Sequence, residues 1–446
     1  MHQAAKEKEN YSSACRAFAK TREGRDPAWL RKFREDAYAA FQRLDFPTTR
    51  EEAWKSTNVA PLLRIPFRQL FDLVPNFLPT GLIEERTLTE TRQSRIVFIN
   101  GIFAPELSRL DGIPERVLVK NFSELDEEER SILQHHLGKQ ASWEEDAFVA
   151  LNTALLGDGA LVYLPRGRVV ELPIEILYLT TSEEPIVSYP RVLVVAEAGS
   201  MATIVERYSS RSSNVYFTNA VTEVVLGQDA SLTHYRLQLE SNQAYHLGTT
   251  RVALARQSRY ESFAVSLGSG LGRHSLTVSL AGEEAEAKLD GLYVATGHQH
   301  LDHHTELDHR SPHCRSDQYY KGMLDDQARA IFNGKVLVRE GALLTDARQL
   351  NKNLLLSTSA KVDTRPQLEI LADDVKCAHG ATIGQLEEEE LFYLASRGIP
   401  PRRAKALLTY GFAEDLIGRL RIGSLREELD RIVLDKLHQS LEGESA

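Results

Sequence analysis

Four stretches share one plan: VLVVAEAGSMA at 192–202, VTEVVLGQDA at 221–230, TRVALARQS at 250–258 and LTVSLAGEEA at 276–285. In each, an apolar run ends in a turn-like cluster of small and polar residues. The turn signals begin at Gly199, Gly227, Ala255 and Gly282, so they recur after 28, 28 and 27 residues, and each precedes a second alternating run. A period in the twenties built only from strands and turns is what the coils of a β-solenoid produce, since each coil buries its inner row only against its neighbours. An antiparallel sandwich also spaces strands regularly, but a constant full period favours the coil.

Working outward, strand signals begin with RIVFINGIF at 95–103 and continue through ALVYLP, VVELPIEILYLT and RVLVVAEAG. Before them, Trp29, Leu30, Phe33, Ala37, Phe41 and Leu44 recur at three- and four-residue steps, which predicts an amphipathic helix over 27–44. Asp26 suits its N-cap and Pro27 its first turn. A proline-spaced, irregular stretch around Pro61, Pro66, Pro75 and Pro79 follows, and 107–147 is charged and helical in part.

After the strands, Glu387, Glu388, Glu389 and Glu390 stand near the amino end of a predicted helix, where the macrodipole favours them. From Pro400, Ala404, Leu407, Leu408, Phe412, Leu416, Ile417 and Leu420 step at helical intervals. Gly411 interrupts them, which predicts two or more short helices. A last helix near 425–441 carries Leu425, Leu429, Ile432, Val433, Leu437 and Leu441 on one face, as an independent cap or a docking surface. The expected fold is mainly β, a parallel β-helix core over 95–375 between an N-terminal helical region, 1–94, and a C-terminal helical domain, 376–446.

At 446 residues the chain is too long for one ordinary core, though a solenoid absorbs length. A formal net charge of −10 argues against a nucleic-acid surface, which needs basic patches to displace counterions. Cys15, Cys314 and Cys377 are too few and too scattered for a disulfide framework. The charged amino terminus lacks a signal-peptide core and no run approaches a membrane span, so a reducing, cytoplasmic setting is expected.

The chemistry concentrates where the strands end, in LEILADDVKCAHGATIGQLEEEELFYLASRGIPPRRAKALLTYGF at 368–412. In an extended strand Cys377 and His379, two apart, point to one face and present a thiol beside an imidazole. Such a pair suits a transition metal or an iron–sulfur intermediate, yet it is half a site, because such centres want about four ligands. Buried cysteines and turn histidines are also common structural residues.

A second cluster, GHQHLDHHTELDHRSPHC at 297–314, holds His298, His300, His303, His304, His309 and His313 with Asp302 and Asp308. Its spacing fits neither a zinc finger nor an HExxH helix, and in a strand the set cannot converge without a turn. Polar side chains on the outer face of a coil are the simpler reading, and a metal-storage role is the alternative. LGSGLGRHS at 267–275 fails as a dinucleotide loop because position 273 is arginine, and no phosphate-binding GxxxxGK[ST] is present. A GxSxG elbow is likewise missing, and no pair of carboxylates is singled out for acid–base work.

The run DDVKCAHGATIGQLEEEELFYLASRGI, with NGKVLVREGALLTDARQLNKNLLLSTSAKVDTRPQLEI upstream, resembles the carboxy-terminal region of the SufB/SufD family, scaffold subunits of the bacterial iron–sulfur assembly machine. The resemblance extends more weakly to the first forty residues. PTTREEAWKST at 47–57 resembles the amino-terminal signature of the SufD branch, where a tyrosine usually stands at the place of Ser56. With only three cysteines, that branch fits better than the SufB type of principal scaffold.

The resemblance implies a right-handed parallel β-helix and a non-enzymatic scaffold. It implies pairing with a SufB-like chain through the carboxy-terminal end of the β-helix, a SufC-like ATPase docked on the terminal helices, and a homodimer as a state of the isolated chain. No cofactor is expected to stay bound to the chain alone. A transient iron–sulfur cluster or iron would sit at the subunit interface, where Cys377 and His379 match the implicated positions. A β-helix enzyme acting on polysaccharide is the competing reading, carried by fold analogy alone.

Overall fold

The computed structural model describes residues 2–71, 83, 87–211 and 213–443. Its centre is a β-solenoid of about eight turns. Two strands make each full coil, and they alternate between two sheets. One sheet stacks Ala160–Leu164, Arg191–Ala196, Phe217–Leu226, Tyr245–Leu254, Leu271–Leu280, His300–His309, Arg329–Val338 and Lys361–Ile370, all parallel. The facing sheet stacks Arg95–Ile99, Ile174–Thr180, Met201–Ser210, Ser231–Leu239, Arg259–Ser266, Glu286–Ala295, Arg315–Leu324, Asp346–Leu355 and Lys376–Gly384, again all parallel.

The turn signals of the repeat mark one corner of this coil. Gly199, Asp229, Gln257, Glu284, His313, Leu344 and Asp374 all take positive φ there, at steps of 30, 28, 27, 29, 31 and 30 residues. Six of the seven carry side chains, which the left-handed region disfavours. A ladder of backbone hydrogen bonds between successive turns helps to hold them, including Asp229 N to Arg256 O at 3.0 Å, Gln257 N to Glu283 O at 2.9 Å and His313 N to Leu343 O at 2.9 Å. The first turn sits two residues earlier in its repeat than the spacing suggested, because Gly199 itself, rather than Met201, holds the left-handed position. At six of these seven corners the next residue is small and buried, while Val375 after Asp374 is half-buried. The six are Ser200, Ala230, Ser258, Ala285, Cys314 and Thr345. Cys314 is thus the small residue of one corner, its Sγ 3.3 Å from Gly282 O.

The two sheets face each other over one apolar core that runs the length of the coil. RIVFINGIF forms a hairpin rather than one strand: Arg95–Ile99 pairs antiparallel with Ile102–Phe103, and Asn100 and Gly101 supply the positive-φ turn between them. With Leu118–Asn121, antiparallel to Ala160–Leu164, this hairpin closes the early end of both sheets.

Helices cover both outer faces. On the amino-terminal side are α1 (His2–Thr21), α2 (Ala28–Arg43), α3 (Ala60–Leu63), α4 (Glu127–His136) and α5 (Ala147–Ala154). Phe18, Phe41, Phe46 and Phe148 of this region cluster with Phe217, Leu247 and Leu271 of the solenoid. Helix α2 matches the predicted span, but Asp26 does not cap it: Pro27 is the N-cap, and Asp26 instead pairs with Arg34. The helical content reaches past residue 94, since α4 and α5 lie inside the stretch assigned to the β-helix core. Pro75 and Pro79 lie outside the described residues.

At the other end come α6 (Glu388–Ser396), α7 (Pro401–Ile417) and α8 (Gly423–Gly443). Helix α7 runs unbroken through Gly411, contrary to the expected interruption. No atom crowds that glycine, and the roughly 1 kcal/mol it costs is small beside the packing of the helix. The chain breaks at Gly418 instead. Ala413, Leu416, Ile417, Leu425, Leu429 and Val433 are buried against Val205, Leu237, Val265, Leu292, Val294 and Met323 on the outer face of the second sheet. The apolar stripe of the last helix is therefore covered within the chain; the side chain of Leu441 lies outside the described residues. Among the described residues no helix is long and apolar enough to cross a membrane.

Candidate site at the open end of the coil

Cys377 and His379 lie in the last strand, Lys376–Gly384, so the β core continues nine residues past the boundary drawn at 375. Cys377 stands opposite Ala347, and His379 opposite Gln349. These are inward-facing rows: Ala287, Ser316, Ala347 and Cys377 form one, and Leu289, Gln318, Gln349 and His379 the next. Cys377 packs half-buried against the end of the core, whereas His379, with no further coil beyond it, is exposed. Burial and the nearby Asp346 carboxylate raise the Cys377 thiol above its ordinary value. It is protonated at neutral pH, and a metal would have to displace that proton to gain a thiolate ligand.

Both sheets end here on unpaired edges. Among the described residues, Lys361–Ile370 pairs only with Arg329–Val338, and Lys376–Gly384 only with Asp346–Leu355. Their residues are exposed or half-buried, in contrast to the buried rows of every preceding coil. Among the described residues, Ile370, Leu371, Ile383, Phe392, Tyr393 and Leu407 are exposed large hydrophobics, all on this terminal coil or on the helices that follow it. An open edge offers a row of free N–H and C=O groups to another strand, a liability that proteins ordinarily cover. One signal for it was present in KVDTRPQLEI: Pro366, inside an alternating run, is tolerated only in an edge strand or bulge.

The histidine-rich segment is only in part an outer face. In the strand His300–His309, His303 and His309 point into the core, while His300 and His304 face outward under the amino-terminal region. His298 and His313 sit exposed in turns. Burial lowers His303 to about 3 and His309 to about 4, so both are neutral at physiological pH. Among the described residues no three or more His, Cys, Asp or Glu side chains are gathered to hold a metal ion.

Sequence reasoning missed the joint that the outward half of this segment makes. Thr57 donates to Asp302 Oδ2 at 2.5 Å and meets His300 Nε2 at 3.0 Å, Arg273 ion-pairs with Asp302, and the Arg273 guanidinium lies 3.9 Å from the Trp54 ring centroid. Glu52 accepts from Arg365 Nη1 at 3.0 Å, on the open edge strand. PTTREEAWKST is therefore the strap that ties the amino-terminal region to the late coils. The partners are some 245 residues apart in sequence, and no local pattern announces them.

Residues 178–412 match the family model described as SUF system FeS cluster assembly, SufBD core domain, and 5–176 match the SufBD protein N-terminal region. An iron–sulfur cluster assembly SufBD family protein of Synechocystis is 38% identical over 92% of each chain. The iron–sulfur cluster assembly proteins SufD of Escherichia coli and Bacillus subtilis are 30% and 28% identical, over 90% of each chain and over 92% and 95% respectively. With its core and amino-terminal regions both matched, the chain belongs to the SufBD family of iron–sulfur cluster assembly proteins.

Proposed function

We propose that this protein is a non-enzymatic, SufD-type scaffold subunit. It pairs with a SufB-like chain across the open end of the solenoid, and an iron–sulfur cluster is built as cargo at that junction. The observation that carries this reading is the coincidence, on one terminal coil, of two unpaired strand edges with Cys377 and His379. A second chain laid against the edges satisfies their backbone groups. It also brings the ligands that a two-residue half-site lacks.

A SufC-like ATPase docks on the terminal helices. The buried stripe of α7 and α8 is engaged with the sheet and is not available for this. The exposed Phe392, Tyr393 and Leu407 of α6 and α7 are the surface left to a partner. In the absence of a SufB-like partner, a second copy of this chain occupies the open end.

The test is coexpression with SufB-like and SufC-like partners, comparing the wild type with His379→Ala and Cys377→Ser. His379→Ala is expected to retain both partners but lose most of the iron and sulfide of the purified complex. Cys377→Ser is expected to be milder, because a half-buried small residue also serves packing there. A His379→Ala complex loading clusters at the wild-type level removes the site from the mechanism.

A further inference from the structure

Far from the open end, the turn joining α1 to α2 meets the start of α4 around a cavity of about 140 Å³. Arg22, Arg34, Arg130, Asp26, Trp29 and Phe122 are among its walls, with Arg25, which has a partner of its own, also lining it. Three arginines against one aspartate leave two positive charges here, without counting Arg25.

The cations are only partly satisfied by the protein: Arg22 Nη2 donates to Gly157 O, and the Arg22 and Arg34 guanidinium groups lie 5.5 and 5.3 Å from the Phe18 ring centroid. Arg34 is only 7% exposed and pairs with Asp26, the same carboxylate that Arg22 Nε approaches at 3.8 Å. The Nε atoms of both Arg34 and Arg22 are buried without a hydrogen-bond partner among the described residues. Beside Arg130, Asp126 caps α4 and Glu129 holds Lys120 at 2.6 Å, while Glu127 and Glu128 of the same first turn are exposed.

The amino terminus of α2 adds to this field. Pro27 and Trp29 line the cavity, among the described residues no side chain caps the helix, and its first turn holds no acid; the carboxylate beside the positive end of this 16-residue helix is that of Asp26, shared with Arg34 and Arg22. Unsatisfied guanidinium donors beside an open helix amino terminus are the two devices proteins combine to bind oxyanions. The volume is roughly ten times the ~10–15 Å³ that one water needs, enough for such a group.

We propose that this cavity binds a phosphoryl group of charge near −2, held by Arg22, Arg34 and Arg130 and by the first N–H groups of α2. A phosphoryl group there links the α1–α2 turn to α4 through charge-assisted bonds. The leucines of the same wall, Leu30, Leu133 and Leu156, suit the organic part of a phosphate monoester.

The test is titration calorimetry of the full chain with inorganic phosphate and with phenyl phosphate, at ionic strength held constant with chloride. Saturable binding of one equivalent is expected, weakened about tenfold in the exposed variant Arg130→Gln and similarly in Arg22→Gln, the loss of one charge-assisted hydrogen bond. Tighter binding of phenyl phosphate assigns the site to an ester, and equal binding to free phosphate. Circular dichroism of Arg130→Gln verifies that its fold is intact. No saturable binding of either probe, or unchanged affinity in both variants, overturns the proposal.

Discussion

The imidazole of His303 is stacked on the ring of Tyr293 inside the coil, centroids 4.9 Å apart and planes 25° from parallel, with Tyr320 on a neighbouring strand 5.9 Å away. Neither ring nitrogen of His303 has a hydrogen-bond partner among the described residues. Its folded pKa of about 3 lies below the unfolded value near 6.5. Between those values the unfolded chain takes up a proton that the folded chain refuses. Stability is therefore complete above about pH 6.5 and falls as the pH drops toward 3. His303→Phe keeps the stacking and removes the titration. Urea unfolding at pH 7.5 and pH 5 is expected to show a smaller loss on acidification than in the wild type; an identical loss would place the acid sensitivity elsewhere.

Removing everything after Pro400 is expected to cost the chain its solubility rather than only a docking surface. The truncation bares Val205, Leu237, Val265, Leu292, Val294 and Met323, an apolar face of the kind that monomers rarely leave exposed. Size-exclusion chromatography of the truncated chain reads this directly, and a soluble monomer contradicts it. Within the intact chain, Leu429→Ala, at a fully buried position, is expected to cost about 2–5 kcal/mol in denaturant unfolding.

Phe392 and Tyr393 make the opposite case, being 76% and 57% exposed. Replacing both by serine is expected to leave unfolding within roughly 0.5 kcal/mol per site of the wild type, while lowering capture of a SufC-like ATPase. Full capture moves the docking surface off α6.

Arg191 and Glu223 form a completely buried pair at 2.5 Å, and the Glu223 carboxylate also accepts from the N–H groups of Gly138, Gln140 and Ala141 at 2.8, 2.9 and 3.1 Å. Glu223→Ala leaves an unpaired buried guanidinium and three unmet donors, with an expected loss of about 3–5 kcal/mol. Measured stability near that of the wild type excludes the pair as the anchor of the 138–141 loop.

The strap predicts a local effect. Thr57→Val deprives the buried Asp302 of a donor and is expected to cost about 1–3 kcal/mol. Hydrogen exchange is expected to rise first around 52–57 and in the strand His300–His309. Uniform exchange across the chain would make Thr57 an ordinary core residue.

The coil was legible in the sequence because a solenoid repeats one local solution: apolar inner rows, and a corner residue followed by a small one, recur at a fixed period. The helix over 27–44 and the shared strand face of Cys377 and His379 were legible for the same reason, since i, i+2 and i, i+4 relations are set by strand and helix geometry. What repeated locally could be read locally. Only the tertiary structure decided which way the histidine segment faced, that the stripe of the last helix was already covered, and that Asp26 served Arg34 instead of a helix end. Only it showed that Thr57 reached Asp302 and that both sheets stopped on bare edges beside Cys377. Those outcomes depend on which surfaces meet across hundreds of residues, and burial against a distant partner leaves no period in the chain.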